Sequence, residues 1–280
     1  MHFVDSQATQ FFIDTAERVF LAAILCTAFE VFFPANQYSV RSRLRGALFF
    51  LCHLVFMTLT WRASTLAFQW LGIHPSISID FSLPTRIDNK FLHESCAIAA
   101  GVIVAIIADF FYYWFHRLQH VNTFLWRFHA IHHSIQEMSA FNSNHHITED
   151  LFRVPFVAIP LALIQFKSDT APMVAVFLLS MQPTFEHSCT RLHLGPLRYI
   201  FGDTRFHRIH HSMEPEHWNV NFGSFTTIWD NVFRTAVFPK KGEWPKVGLN
   251  DQPEPVTLGD YIARPFFPPR REVHPIQEII

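Results

Sequence analysis

The sequence predicts an all-α fold: an integral membrane helical bundle with a histidine-rich cap on its cytoplasmic side. Three observations carry this reading. Half of the 280 residues are hydrophobic, with 32 Phe against only 9 Gly, a balance that suits a bilayer better than water. Four apolar regions, at about 16–33, 46–71, 95–115 and a divided 152–186, are long enough to weigh against the roughly 20 helical residues that cross a hydrocarbon core. Three histidine clusters, His116/His120, His129/His132/His133 and His207/His210/His211, lie beside those regions.

The first three regions read as single spans. The fourth is split by Lys167-Ser168-Asp169 and carries Pro155, Pro160, Pro172 and Pro183, so it is expected to form a shallow or tilted helical hairpin. Arg41, Arg43 and Arg45 follow the first span closely and place that loop in the cytoplasm. Counting crossings from there, the first two clusters emerge on the cytoplasmic side. The hairpin returns to that side, so His187 and the third cluster face it as well. Residues 1–240 are expected to form one membrane domain. Residues 241–280, with seven of the 17 prolines, are expected to be an extended cytosolic tail. The N-terminus, with Asp5, Asp14 and Glu17 ahead of the first apolar run, reads as an uncleaved start.

A net charge of −1 supplies no basic surface, so nucleic-acid binding is disfavoured. The four cysteines form no Cys-x-x-Cys pair, and three lie in apolar runs as small hydrophobes, which argues against a disulfide framework.

Positions i, i+3 and i+4 share one helix face, so each cluster projects its imidazoles together. A straight helix through residues 116–133 would put His116 and His129 about 20 Å apart on opposed faces. A shared site therefore requires a break between His120 and Trp126, where Asn122 and Thr123 suit a turn or cap. Packing eight unpartnered imidazoles at a membrane boundary would cost roughly 1–3 kcal/mol each, which favours a common ligand. His2, His53, His74, His93, His193 and His274 stand alone and are assigned no role. Arg117, Ala130 and Arg208 occupy the places where a zinc hydrolase would need Glu, so that chemistry is unsupported. Eight or nine neutral nitrogen donors exceed one tetrahedral zinc and suffice for two metals with open positions.

Two longer stretches resemble the membrane fatty acid hydroxylase and sterol desaturase superfamily. The first runs from Asp109 through Trp114, His116, His120, Trp126, His129, His132 and His133 to Ser134. The second runs from Glu186-His187 through Gly195-Pro196, His207, His210, His211, Asn219, Asn221 and Gly223 to Trp229-Asp230 and Phe233. The family motifs fall within 109–150 and 185–239. The resemblance implies a non-haem di-iron oxygenase that hydroxylates, or desaturates, a lipid such as a fatty acyl chain or sterol. It implies two iron ions, with zinc as an alternative occupant, held by His116, His120, His129, His132, His133, His207, His210 and His211, with His187 the ninth ligand.

His146 and Glu149 fall where relatives carry a His-Pro-x-Glu element, with Ile147 in place of the proline. His145, His146 and Glu149 are candidates for ligation or for support of a ligand ring. Asp109 is a candidate acceptor for a ligand N–H, or else pairs with Arg117, Arg127 or Arg153. Tyr112, Tyr113, Trp114 and Trp126 read as interfacial anchors, and Arg117 and Arg208 as holders of a carboxylate or lipid headgroup. Arg234 stands where a Gly is common in relatives.

The chain has no Gly-rich dinucleotide fingerprint and no cysteine set for an iron–sulfur cluster. The expected partners are therefore a lipid, O₂ and an external electron donor of reductase, cytochrome or ferredoxin type, in a bacterial inner membrane or endoplasmic reticulum. A metal transporter, or a non-catalytic metal- or lipid-binding membrane protein, is the alternative. A transporter should line a path through its spans, whereas these clusters gather at one end.

Overall fold

The computed structural model describes residues 6–81, 89–168 and 170–267. His2, His274, Asp169 and the last part of the tail lie outside the described residues. Four helices set the frame: α1 (Ser6–Phe32), α2 (Val40–Leu71), α3 (Lys90–Val121) and, later in the chain, α7 (Ala171–His187). Two of them, α2 and α3, are long and apolar enough to cross a membrane.

Sequence chemistry explains where these helices start and how closely they pack. Ser39 caps α2 by accepting the Ser42 N–H, and Asn89 caps α3 by accepting the Leu92 N–H. The centre of the bundle is α3 against α7, packed through Ala100, Val104, Ala105, Ala171 and Ala175. Gly101 lets the backbones meet, because a Cβ there would stand 2.4 Å from Val174. The outer faces of α1 and α2 leave Leu21, Ile24, Leu25, Leu51, Val55 and Leu59 exposed.

The expected hairpin takes another form. Its first arm is a short helix α5 (Glu149–Arg153), one π-helical turn at Val154–Ala158 and a stub α6 (Ile159–Ala162). Pro155 and Pro160 each remove a backbone donor, which denies a regular helix its ladder. The chain then forms β2 (Ile164–Lys167), which pairs in parallel with β1 (Ile77–Asp80) through Ile77↔Ile164 and Ile79↔Phe166. This small sheet follows α2 and precedes α7, at the end of the bundle away from the histidines.

At the other end, α3 stops at Val121 and α4 (Thr123–His133) begins. Asn122 separates them; its Oδ1 accepts the N–H groups of Phe124 and Leu125 at 3.0 Å each. The break falls inside the predicted interval. The C-terminal third continues with a 3₁₀ turn (Gly195–Tyr199), α8 (Thr204–His210), a 3₁₀ turn (Pro215–His217), α9 (Ile228–Val232) and α10 (Leu258–Ala263).

The described part of the tail packs on the cap and is not extended throughout. Thr257 and Asp260 form a capping box that starts α10, and Tyr261 is buried against Phe49. Glu254 accepts the N–H groups of Gln136 and Glu137 and pairs with Arg45. Arg43 likewise pairs with buried Glu30, which also accepts the N–H groups of Ala140 and Cys189. The three arginines expected in a loop lie instead in the first turns of α2, and two of them are thus tied into the protein.

Candidate metal centre

The nine expected ligands come together in two groups, buried except for half-buried His120. His116, His120, His129, His133 and His210 form one; His132, His187, His207 and His211 form the other, with donor atoms within 4.8 Å of one another in each group. The groups adjoin: the rings of His133 and His211 stack at 4.4 Å, and those of His132 and His211 lie 4.5 Å apart. Ends of α3, α4, α7 and α8 supply these rings, so the cap is where four helices finish.

The nitrogen contacts fit metal ions better than they fit hydrogen bonds. His116 donates its Nδ1–H to the Phe222 carbonyl at 2.7 Å, His210 to Val220 at 2.7 Å and His187 to Pro183 at 2.6 Å. Each of these neutral rings therefore turns an unprotonated Nε2 inward. Yet His187 Nε2 stands 3.1 Å from His132 Nε2 and 2.9 Å from His207 Nε2. His129 Nε2 stands 3.0 Å from His116 Nε2 and 3.1 Å from His133 Nε2. Lone pairs converging at this distance repel unless a cation lies between them. Adjacent nitrogens around an ion with bonds of ~2.1 Å are on the order of 3 Å apart, so the donor set fits first-row metals.

Burial keeps the rings outside the spans neutral. It holds His129, His132, His133, His207 and His211 well below the ordinary imidazole value, with neighbouring histidines adding to the effect. His210 is lowered by burial to about 4. Metal ligation demands the same neutral form.

The second sequence motif builds the acceptors for two ligand rings. Buried Asn221 bridges the Phe206 and Val237 carbonyls, and Asp230 accepts the N–H groups of Phe222 and Gly223 at 2.8 Å each. Asp109 takes the N–H groups of Ser224, Phe225 and Thr226 at 3.0 Å each. These bonds fix the loop whose Val220 and Phe222 carbonyls orient His210 and His116. Asp109 therefore bonds directly to none of its anticipated partners, neither a ligand ring nor an arginine. A carboxylate can accept several N–H donors at once, and this loop presents three in a row.

The supporting candidates separate. His145 stacks on His132 at 3.8 Å and 15°, and forms a further group with His129 and Glu149. Both carboxylate oxygens of Glu149 accept from Gln119 Nε2, at 2.9 and 2.8 Å. His146 points elsewhere: its Nε2–H donates to the Ile262 carbonyl at 3.1 Å and its Nδ1 meets Thr148 Oγ1 at 2.9 Å. It docks the tail and stands outside the metal-type groups. Its pKa is lowered to about 4, chiefly by burial.

Three other expectations need correction. Tyr113 is buried and bonds Thr235 at 2.9 Å, so it is no interfacial anchor, while half-buried Trp126 also packs over His120 and His133. Arg208 holds the Pro245 carbonyl at 2.7 Å and stacks over Trp244, which ties down the tail and leaves no headgroup role in view. Arg117 bonds the Tyr113 hydroxyl at 3.3 Å and lies over Trp114. Arg234 adopts φ 59°, which explains why a glycine suits that position.

Sequence reasoning gave Glu186 no role of its own. It is fully buried with its Oε2 unpaired, 3.8 Å from His207 Nδ1. Its adjacency to His187 was the available signal.

Residues 101–235 match the family model for fatty acid hydroxylase. An ornithine lipid hydroxylase, OlsE, of Rhizobium tropici is 32% identical over 184 residues, covering 64% of this chain and 54% of the relative. The alkylglycerol monooxygenases of Danio rerio and Homo sapiens are 32% and 28% identical, each over 45% of this chain and 28% of their own length. The chain thus spans about half or less of these relatives. No solved structure matches it significantly. All nine clustered histidines lie within the matched residues 101–235, so this segment, just under half of the chain, resembles a fatty acid hydroxylase domain.

Proposed function

We propose that the chain is a membrane-bound non-haem di-iron oxygenase that hydroxylates a lipid, with O₂ as oxidant and electrons from a separate donor protein. The observation that carries this reading is the convergence of nine imidazoles, eight of them buried and His120 half-buried, in two adjoining groups on a segment that matches the fatty acid hydroxylase model. The names of the relatives, ornithine lipid hydroxylase and alkylglycerol monooxygenase, favour the acyl or alkyl chain of a polar lipid as substrate.

Iron, when bound, supplies O₂ activation and attack on an unactivated C–H bond, which no side chain achieves alone. The residues of the chain supply the rest. His116, His120, His129, His133 and His210 hold one ion, and His132, His187, His207 and His211 the other. The carbonyls of Phe222, Val220 and Pro183 keep three of these rings in the ligating tautomer. Burial excludes water from the oxidising site.

The exposed Leu and Val side chains of α1 and α2 form an apolar surface suited to lipid, with α2 and α3 crossing the bilayer. The end of the bundle bearing the histidines and Arg41, Arg43 and Arg45 then faces the cytoplasm, of a bacterium or outside the endoplasmic reticulum.

Comparative lipid mass spectrometry of cells with and without the chain tests this function. The expected result is a lipid heavier by one oxygen that appears only with the chain and only in air. A lipid profile unchanged by an iron-loaded, membrane-inserted chain with a competent reductase would overturn it, and loss of two hydrogens would assign desaturation instead.

A further inference from the structure

Each half of the metal centre has a buried carboxylate behind it, and the two differ in how they are held. Glu149, beside His129 and His145, is occupied by the Gln119 amide. Glu186, behind His207, is held far more loosely. Gln182 reaches its Oε1 at 3.4 Å, but Oε2 has no hydrogen-bond partner and the residue is fully buried.

His207 presents the complementary gap. Its Nε2 faces His187 and His211, so ligation requires the proton on Nδ1, and that Nδ1 is buried and unpaired. The two orphaned atoms, Glu186 Oε2 and His207 Nδ1, are 3.8 Å apart. A shift of under 1 Å closes a normal N–H···O bond between them. Room for the carboxylate is built in: a Cβ on Gly202 would stand 1.8 Å from Glu186 Oε1. Charge argues the same way. Neutral imidazoles alone leave the full charge of a bound dication uncompensated in a buried site, where charge is expensive.

We propose that Glu186 is a positioning residue for the four-histidine half of the centre: its Oε2 accepts the His207 Nδ1–H, fixes the ring with Nε2 toward the ion, and sets a negative charge behind it. This inference rests on the two-metal reading above. Partners of this kind change metal affinity by 10–100-fold when removed.

The test is Fe(II) binding by the full-length purified chain under argon, read as iron per chain and by competition with a chromophoric chelator. The wild-type chain should hold two ions. Glu186→Leu should hold one tightly and the other 10–100-fold more weakly, while His207→Ala should weaken the same ion. Glu186→Gln keeps an acceptor without its charge and should fall between Leu and wild type. A folded Glu186→Leu that binds both ions as tightly as wild type overturns the proposal. If the Leu variant does not fold, Glu186→Gln decides: about tenfold weakening of one ion supports it, and two unchanged affinities overturn it. A wild-type chain that takes up no iron would overturn the metal reading itself, and this inference with it; two wild-type ions with unperturbed Glu186 variants overturn the inference alone.

Discussion

Asp109 shows how a single buried charge acts at a distance from the chemistry. Its carboxylate gathers three consecutive N–H groups, and the loop so fixed presents the Phe222 carbonyl to His116. Asp109→Ala strands three donors, those of Phe225 and Thr226 buried and that of Ser224 partly so, at roughly 1–3 kcal/mol for each buried one. It should lower stability by about 3 kcal/mol or more and release iron from the five-histidine group first, checked by thermal unfolding and metal content. Arg234 offers a change of opposite sign. Its φ of 59° strains a non-glycine residue, so Arg234→Gly should stabilise the protein by about 0.5–1 kcal/mol, measured by its melting temperature. A melting temperature that falls on this change would show the strain argument to be mistaken.

Among the elements, the junction of α3 and α4 is what turns helical spacing into a site. Without the break, His116 and His129 would lie on opposed faces; with it, their Nε2 atoms stand 3.0 Å apart. Asn122 makes the junction by capping α4 with two hydrogen bonds. Asn122→Ala should cost about 1 kcal/mol of stability and loosen the five-histidine group, read as a lower melting temperature and faster iron loss to a chelator. A variant that melts and holds iron like wild type would remove the cap from the account.

This break was legible in the sequence because it follows from turn geometry and local residue chemistry alone. The histidine boxes were legible for the same reason: i, i+3 and i+4 are local relations. What could not be read depends on partners distant in the chain. Asp109 meets residues 224–226, Arg208 meets Pro245 and β1 meets β2 across 80-odd residues of sequence, and no local pattern encodes those encounters. The acceptors for the ligand rings are backbone carbonyls, which leave no mark on residue identity. Glu186 escaped notice because a buried carboxylate and an ordinary helix Glu look alike in one sequence.

For the molecule as a whole, the dense burial of histidines ties stability to pH. An unfolded imidazole titrates near 6.5, whereas His210 and His146 are lowered to about 4 by burial. Between these values the unfolded chain binds more protons than the folded one, so stability falls as pH falls. The contribution is intact above about 6.5 and lost as pH drops through the interval to about 4. Metal release has the same sign, since protons compete for the ligating nitrogens. Unfolding followed from pH 7.5 to 4.5, with and without iron, should show both losses; a melting temperature flat across this range would contradict the neutral-histidine description.

The two metal groups also make the whole cap one functional unit. His129 and His132 come from α4 and His207 from α8, and between them they draw on both groups, yet loss of any one ligand should disable oxidation. His74 lies outside the groups, as a control. The most direct measurement is oxidised-lipid product per membrane-inserted chain for His129→Ala, His132→Ala, His207→Ala and His74→Ala beside wild type. The account predicts that the first three lose nearly all product, that combining them adds little further loss, and that His74→Ala remains close to wild type. Normal product from the three box variants, inserted and folded, would contradict the assignment of these histidines to a lipid-oxidising metal centre.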